Sequence, residues 1–359
     1  MDRIVRGRDG FATLAPHWEK LAAAGAVETP FQSFAWLDLW LQHRGVDVEP
    51  FILVLHGGET VAPLGRARRA GIRVLQLLGS RDSDYPGLIT VRPPNEAWDA
   101  VARTLSQHRG TFDLLHLDSM RDCEPIVPAL ARHLGSGGRK RLYEVCPWIP
   151  TNCTWPEFLA SLSTGLRNNI KRWNRLTSAL GEVTIEPACP PLRDSTLSEL
   201  ADVERTSWKW ERGNAAFRPG SQRDFLEAVL RDSRSNLVVW LLRVDQRLVA
   251  YAIVLASRAR WYHYLTSFRK DCAHAGSFLL SRIAEAACTQ SCEALDLLRG
   301  DHGYKRAWTN LTTPVFEIAW PSNVRGRAAA LGLAMRWRAA RSERLARLRA
   351  LLLKVGDRR

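Results

Sequence analysis

Residues Arg260 to Trp308 read RWYHYLTSFRKDCAHAGSFLLSRIAEAACTQSCEALDLLRGDHGYKRAW. The run Trp261 to Leu265 predicts a strand, a charged turn follows, and Ala275-Gly276-Ser277 opens an amphipathic helix. A second apolar strand, Ala294 to Leu298, leads into Arg299-Gly300-Asp301 and the cluster Tyr304-Lys305-Arg306-Ala307-Trp308. A strand that feeds a small-residue turn at a helix N-terminus leaves backbone N–H groups unpaired, under the positive end of the helix dipole. Phosphate is the natural guest there. Polar residues just past the second strand then stand beside whatever the phosphate-bearing molecule carries. On the first strand Tyr262 and Tyr264 share a face and His263 takes the other, where a satisfied core histidine is the favoured reading.

Working outward, residues 10 to 45 predict helices: Leu14, Trp18 and Leu21 lie at helical spacing, and after Thr29-Pro30 so do Trp36, Leu37, Trp40 and Leu41. An antiparallel meander follows, with strands at 51–55, 61–68 and 72–78 and a turn at Gly57-Gly58. The polar cluster Gly79 to Gly87 leads to a short strand at 88–91, a helix at 95–108, a strand at 114–117 and a helix at 125–134. Pro147 to Pro156, PWIPTNCTWP, reads as the crossing between halves. Beyond it a helix over 161–180 carries Arg167, Lys171, Arg172 and Arg175 on one face, either solvated or gripping an acidic ligand or the partner domain. A strand at 183–186, helices at 197–210 and 225–230 and a hairpin of strands at 237–244 and 248–257 return to the opening stretch. Element order in the second half repeats that of the first.

At 359 residues the chain exceeds one ordinary core, so two domains and an appendage are expected: 1–146, 147–322 and 323–359. Net charge is +14, concentrated from Val324 onward, where eleven Lys or Arg face only Glu343 and Asp357. That tail predicts a basic amphipathic helix with Ala330, Ala334, Trp337, Leu345, Leu348, Leu352 and Val355 on one stripe. Such a helix lies on an anionic bilayer or packs on its own domain. No run of about 18 apolar residues occurs and no secretion signal opens the chain, which places the protein in the cytoplasm, with contact to the inner-membrane surface through the tail. Seven scattered cysteines without a C-x-x-C pair suit buried thiols in a reducing compartment, and no metal set is expected. G-x-S-x-G, H-E-x-x-H and basic-aromatic motifs are missing, so serine hydrolase, zinc enzyme and nucleic-acid binder have little support.

Leu166 to Arg172 (LRNNIKR), Ser207-Trp208-Lys209, Ala275 to Leu280 (AGSFLL) and Asp296 to Asp301 (DLLRGD) with Tyr304, Lys305 and Trp308 resemble GNAT-superfamily acyltransferases of the CelD type. That group is linked in bacteria to cellulose and other exopolysaccharide biosynthesis. It is similar in turn to FemAB-like transferases, which have two GNAT-like halves. The resemblance implies an α/β fold of tandem GNAT-like halves, the first degenerate, each a mostly antiparallel twisted sheet flanked by helices, with a basic C-terminal helix. It also implies acyl transfer from acyl-CoA, acetyl-CoA included, to an amine on a small molecule or glycan precursor. Main chain of Leu265, Thr266 and Ser267 would face the pantetheine arm, and Ala275, Gly276, Ser277 and Phe278 the pyrophosphate. The usual first glycine of the acyl-CoA fingerprint is missing between Arg269 and Ser277, which leaves an acyl-carrier protein or aminoacyl-tRNA donor open. Tyr304 would protonate the leaving thiolate. Asp301 and Asp296 would accept the ammonium proton or position an amino sugar, or cap turns. Trp208, Lys209, Tyr264, Arg299 and Lys305 would hold the acceptor. The rivals are a FemAB-like aminoacyl transferase using charged tRNA and a non-catalytic scaffold of a polysaccharide-synthesis complex.

Overall fold

The computed structural model describes residues 2–257, 259–300 and 303–338. The first half runs β1 (Arg3–Arg6), α1 (Gly7–Ala12), α2 (Ala15–Ala23), α3 (Phe34–His43), β2 (Glu49–Leu55), β3 (Thr60–Arg69), β4 (Ile72–Leu77), β5 (Ile89–Thr90), α4 (Pro94–Gln107), β6 (Leu114–Met120), α5 (Ile126–Leu134) and β7 (Arg139–Pro150). The second runs α6 (Trp155–Ser161), α7 (Thr164–Ser178), β8 (Val183–Ala188), α8 (Asp194–Arg205), α9 (Trp208–Glu211), α10 (Ser221–Arg231), β9 (Leu237–Val244), β10 (Arg247–Ala256), β11 (Arg260–Phe268), α11 (Ala275–Thr289), β12 (Ala294–Asp296), α12 (Gly303–Trp308) and β13 (Thr312–Pro321). A last helix covers 324–338.

The strands form one sheet in the order β1-β2-β3-β4-β6-β13-β7-β12-β11-β10-β9-β8, with β5 beside β3. Only β4–β6 and β11–β12 are parallel, and each of those pairs is bridged by a helix, α4 or α11. The fold is therefore mixed α/β: a large, mostly antiparallel sheet with helices on its faces.

Helix α3 is apolar around most of its circumference, and Phe34, Trp36, Leu37, Leu39, Trp40 and Leu41 are all buried. Ser33 opens it by accepting the Trp36 N–H at 3.3 Å. The core it joins reaches into the second half, because Phe31 and Trp36 pack edge-on or tilted against Tyr262, Tyr264 and Phe225 at ring distances of 5.0–6.0 Å. Burying one such ring contributes about 1.5–3 kcal/mol, so this aromatic cluster fastens β11 and α10 to the N-terminal helices.

Three strands were not anticipated: β1, β7 and β13. Pro147 and Pro150 lie within β7, where a crossing loop was expected. The strand changes partner at that point: through Pro147 it pairs with β13, and from Trp148 with β12. A proline lacks a ladder donor, and a partner switch is where the missing N–H costs least. The helix expected over 161–180 is broken at Leu162-Ser163, where Ser163 caps α7 by accepting the Leu166 N–H at 3.2 Å. The strand expected to reach Leu298 stops at Asp296, because Leu298 takes a φ of 60°.

Ala330, on the helix over 324–338, is buried against Leu114 and Ala319, and the Arg141 guanidinium lies 4.9 Å from the Trp337 ring. The start of the basic tail thus packs on β6 and β13. Leu345, Leu348, Leu352 and Val355 fall outside the described residues. No helix among the described residues is long and apolar enough to cross a membrane.

Candidate active site

Strands β11 and β12 pair only over Arg260↔Ala294, Trp261↔Leu295 and Tyr262↔Asp296. Beyond that point β12 ends while β11 continues to Phe268, so the two splay apart and one edge of β11 is left without a strand. A register shift against β10 between Ile253 and Val254 leaves Tyr264 as an extra residue, a bulge that bends β11 at the mouth of the wedge. The wedge opens into a cleft of about 830 Å³. One wall carries His263, Tyr264, Leu265, Thr266 and Phe268 of β11 with Gly276, Ser277 and Leu280 of α11. The other carries Leu297 to Gly300, Tyr304 and Lys305 of the second half, and Arg81, Asp82, Asp84, Tyr143 and Glu144 of the first.

At the start of α11 the first intrahelical bond runs from the Phe278 N–H to the His274 carbonyl, at 3.0 Å, so the N–H groups of Ala275, Gly276 and Ser277 precede it. Glycine is required at 276 by close approach: a Cβ there would stand 2.5 Å from Cδ1 of Phe268. Burial and then the charge of Arg172, on α7, hold the His274 imidazole below its ordinary pKa. Arg172 therefore adds positive charge next to the helix start.

Of the donor residues inferred from sequence, Leu265, Thr266, Gly276 and Ser277 line the cleft, whereas Ser267, Ala275 and Phe278 are buried behind it. Thr266 already has company: the Lys209 ammonium donates to its carbonyl at 2.5 Å. Desolvation lowers the Lys209 pKa and raises that of nearby buried Glu204, whose Oε2 accepts the Phe217 N–H at 2.8 Å.

Of the acceptor residues, Trp208, Lys209, Tyr264, Arg299 and Lys305 all line the cleft. Lys305 is nevertheless 4 % exposed, with Nζ donating to the carbonyls of Leu298 and Arg299 at 3.0 and 2.8 Å. Arg299 forms a buried ion pair with Asp84 and donates to Ser119 Oγ at 2.9 Å and to the Arg81 carbonyl at 3.0 Å. Burial pushes the Asp84 carboxyl above the usual carboxylate range, against the pull of Arg299. Four non-glycine residues with positive φ meet around this guanidinium: Arg81 at 75°, Tyr85 at 56°, Ser119 at 54° and Leu298 at 60°. Backbone strain of that kind persists only where its surroundings over-determine it, and it gathers at functional sites.

Loop 79–87 is held in turn by α3, through Trp36 Nε1 to Ser83 Oγ at 2.9 Å, Trp40 Nε1 to Asp82 Oδ2 at 2.8 Å and an Arg44–Asp82 ion pair at 3.0 Å. Neither Asp84 nor Ser119 was flagged from sequence. The polar cluster Gly79 to Gly87 was the available signal for Asp84, while nothing in the strand around Ser119 announced it.

Tyr304 sits on the short helix α12 at the cleft, 45 % exposed, with its phenol pKa raised by burial of the hydroxyl end. Asp296 is fully buried behind the cleft. Its Oδ1 accepts the Leu298 N–H at 2.8 Å, and its Oδ2 accepts from the Tyr85 hydroxyl at 2.9 Å and Arg260 Nη1 at 3.2 Å. That carboxylate fixes the turn leading to Arg299. Asp301 lies outside the described residues. Among the described residues, no group of three or more His, Cys, Asp or Glu is placed to hold a metal.

Residues 164–306, the span from α7 to α12 that builds most of this cleft, match the family model of the acetyltransferase (GNAT) domain. That stretch is an acyltransferase domain of GNAT type, and the chain as a whole has a GNAT-like fold. Among solved structures it is similar to FemX, at 11% identity over 85% of this chain and 96% of that one, with a TM-score of 0.61. It is also similar to the C-terminal domain of a putative lysylphosphatidylglycerol synthetase from Agrobacterium fabrum, at 13% identity over 90% and 95%, with a TM-score of 0.59. L-PGS from Bacillus licheniformis aligns at 14% identity over 80% and 91%, with a TM-score of 0.50. These likenesses are of fold. No curated protein matches the sequence.

Proposed function

We propose that the protein transfers an acyl group from an acyl-CoA thioester to an amine, carried by a sugar or by an envelope or exopolysaccharide precursor. The supporting observation is the wedge between β11 and β12 beside the glycine-containing start of α11. The pantetheine arm would lie along the free edge of β11 near Leu265 and Thr266, and the phosphates at residues 275–277 near Arg172. Direct attack by the bound amine needs no covalent nucleophile when the cleft aligns the reactants. Tyr304, kept protonated by its raised pKa, would give its proton to the leaving sulfur. In this reading residues 147–322 form the catalytic half, residues 1–146 a degenerate half that supplies the Asp84 wall, and 323–359 a basic tail.

Acyl-CoA present at a hundredfold excess over Kd is expected to stabilise the fold by about 2.7 kcal/mol, seen as a rise in Tm. In Gly276→Val the added atoms meet the Phe268 ring, so the unliganded fold should lose about 1–3 kcal/mol by overpacking, and the rise with acyl-CoA measured from that lower Tm should disappear. An unchanged Tm with acetyl-CoA and with every longer acyl-CoA would rule the donor out. Tyr304→Phe should lower kcat for thiol release by about 10²-fold or more with donor KM unchanged; equal kcat in both proteins would remove the tyrosine from the chemistry.

One observation favours a second donor. Lys209 occupies the Thr266 carbonyl, an acceptor on the edge that a pantetheine amide would use. An aminoacyl-tRNA has no pantetheine and leaves that contact intact. Transfer that requires charged tRNA and fails with CoA thioesters would decide for this reading.

A further inference from the structure

His263 is the first residue of β11 past its last pair with β12, so it stands at the apex of the wedge. Tyr262 and Tyr264 turn toward Phe31 and Trp36, and His263 lines the cleft. It is 5 % exposed, and its Nε2 has no hydrogen-bond partner among the described residues. A buried polar atom left without a partner is costly, and a native fold retains one where a ligand or water supplies the missing bond. The ring's other polar contact is with its own backbone.

Two ammonium groups flank the ring. Burial first, and then the charges of Lys305 and Lys209, hold the imidazole down to about 3, so it is neutral at physiological pH. Both lysines are fixed by the carbonyls they serve, Leu298 and Arg299 for the one and Thr266 for the other. The same pair of charges disfavours entry of a protonated amine and favours the free base, the form that attacks.

We propose that His263 Nε2, neutral and without a partner of its own, accepts a hydrogen bond from the attacking nitrogen of the acceptor and so aims its lone pair at the acyl carbon. This rests on the reading of the cleft as a site of acyl transfer to an amine. The nitrogen lone pair forms the bond to the acyl carbon, the C–S bond breaks, and the sulfur leaves with its electron pair and is protonated by Tyr304. The surplus proton on nitrogen is lost to solvent, which also restores the tyrosine, so the products are an amide and a thiol. The two lysines favour the negative charge growing on the acyl oxygen.

The test uses the full chain with acetyl-CoA as donor and butylamine as acceptor probe. His263→Leu is expected to lose about 100-fold in kcat for thiol release, as the attacking nitrogen loses its orientation, with donor KM and the acyl-CoA Tm shift kept. His263→Gln, which retains an acceptor oxygen, should recover part of the loss. Equal kcat in parent and leucine variant would overturn the proposal. Should the parent itself release no thiol with any amine, the acyl-transfer reading fails, and nitrogen-15 spectra of the histidine-labelled parent decide the contact. The His263 Nε2 resonance, assigned by its loss in the glutamine variant, moves when butylamine is added at mildly alkaline pH if the proposal holds. An unmoved resonance ends it, whatever the fate of the donor.

Discussion

Arg299→Ala is expected to cost about 3–5 kcal/mol of folding stability, the range for breaking one side of a buried ion pair, and to abolish transfer. The guanidinium is a four-way tie. It pairs with Asp84, donates to Ser119 and to the Arg81 carbonyl, and lies 5.8 Å from the Tyr143 ring. Removing it strands the Asp84 carboxylate in a site that already disfavours charge. It also frees the turn after β12 from the loop of the first half, so the cleft loses one wall. Asp84→Asn in the same chain should recover part of the stability, because the stranded charge goes with it. Urea melts of the two single variants and the double variant measure this. A loss below about 1 kcal/mol, as for exposed pairs, would mean that the tie carries little.

Asp296→Ala should destabilise by about 3 kcal/mol, since it leaves the Leu298 N–H and the Tyr85 hydroxyl unpaired in the interior and removes the partner of Arg260. Activity should fall further than stability, because the positive φ of Leu298 depends on that carboxylate and Arg299 follows directly. Asp296→Asn is a finer probe through pH. Desolvation pushes the carboxyl up to about 6 from an ordinary 3.8, so between those values the folded chain binds the proton more readily than the unfolded one. Its contribution to stability is therefore complete below the unfolded pKa and is lost as pH rises through about 6. Relative to the asparagine variant, the parent should gain on the order of 2–3 kcal/mol as pH falls through that window. A stability difference that stays constant with pH would show that the group titrates as an ordinary carboxylate.

The two strands and the helix between them were legible in the residues, because the alternating β11, the amphipathic α11 and the apolar β12 each carry a local pattern; that the strands splay apart was not. The joinery was not. Strand β7 hides behind Pro147 and Pro150, whose meaning depends on a change of partner that only the assembled sheet reveals. Lys305 reads as a cation for an acceptor's phosphate or a surface salt bridge, yet it is buried and donates to the carbonyls of Leu298 and Arg299, and Asp296 reads as a strand-end acid although it is sealed beneath the site. Asp84 and Ser119 come to Arg299 from about 200 residues earlier, beyond any local pattern. His263 was favoured as a core histidine for sound reasons, and burial did hold; what the residue type alone does not reveal is an interior nitrogen left without a partner.

Strand β13 lies between β6 and β7, although it is made some 160 residues after β7. During synthesis the first half therefore emerges with a gap in its sheet: β6 and β7 have no strand to join them until Pro321 has been made. Through that interval both expose unpaired edges, the surfaces on which chains stick to one another. Completion of the early half's sheet therefore waits for a strand of the late one.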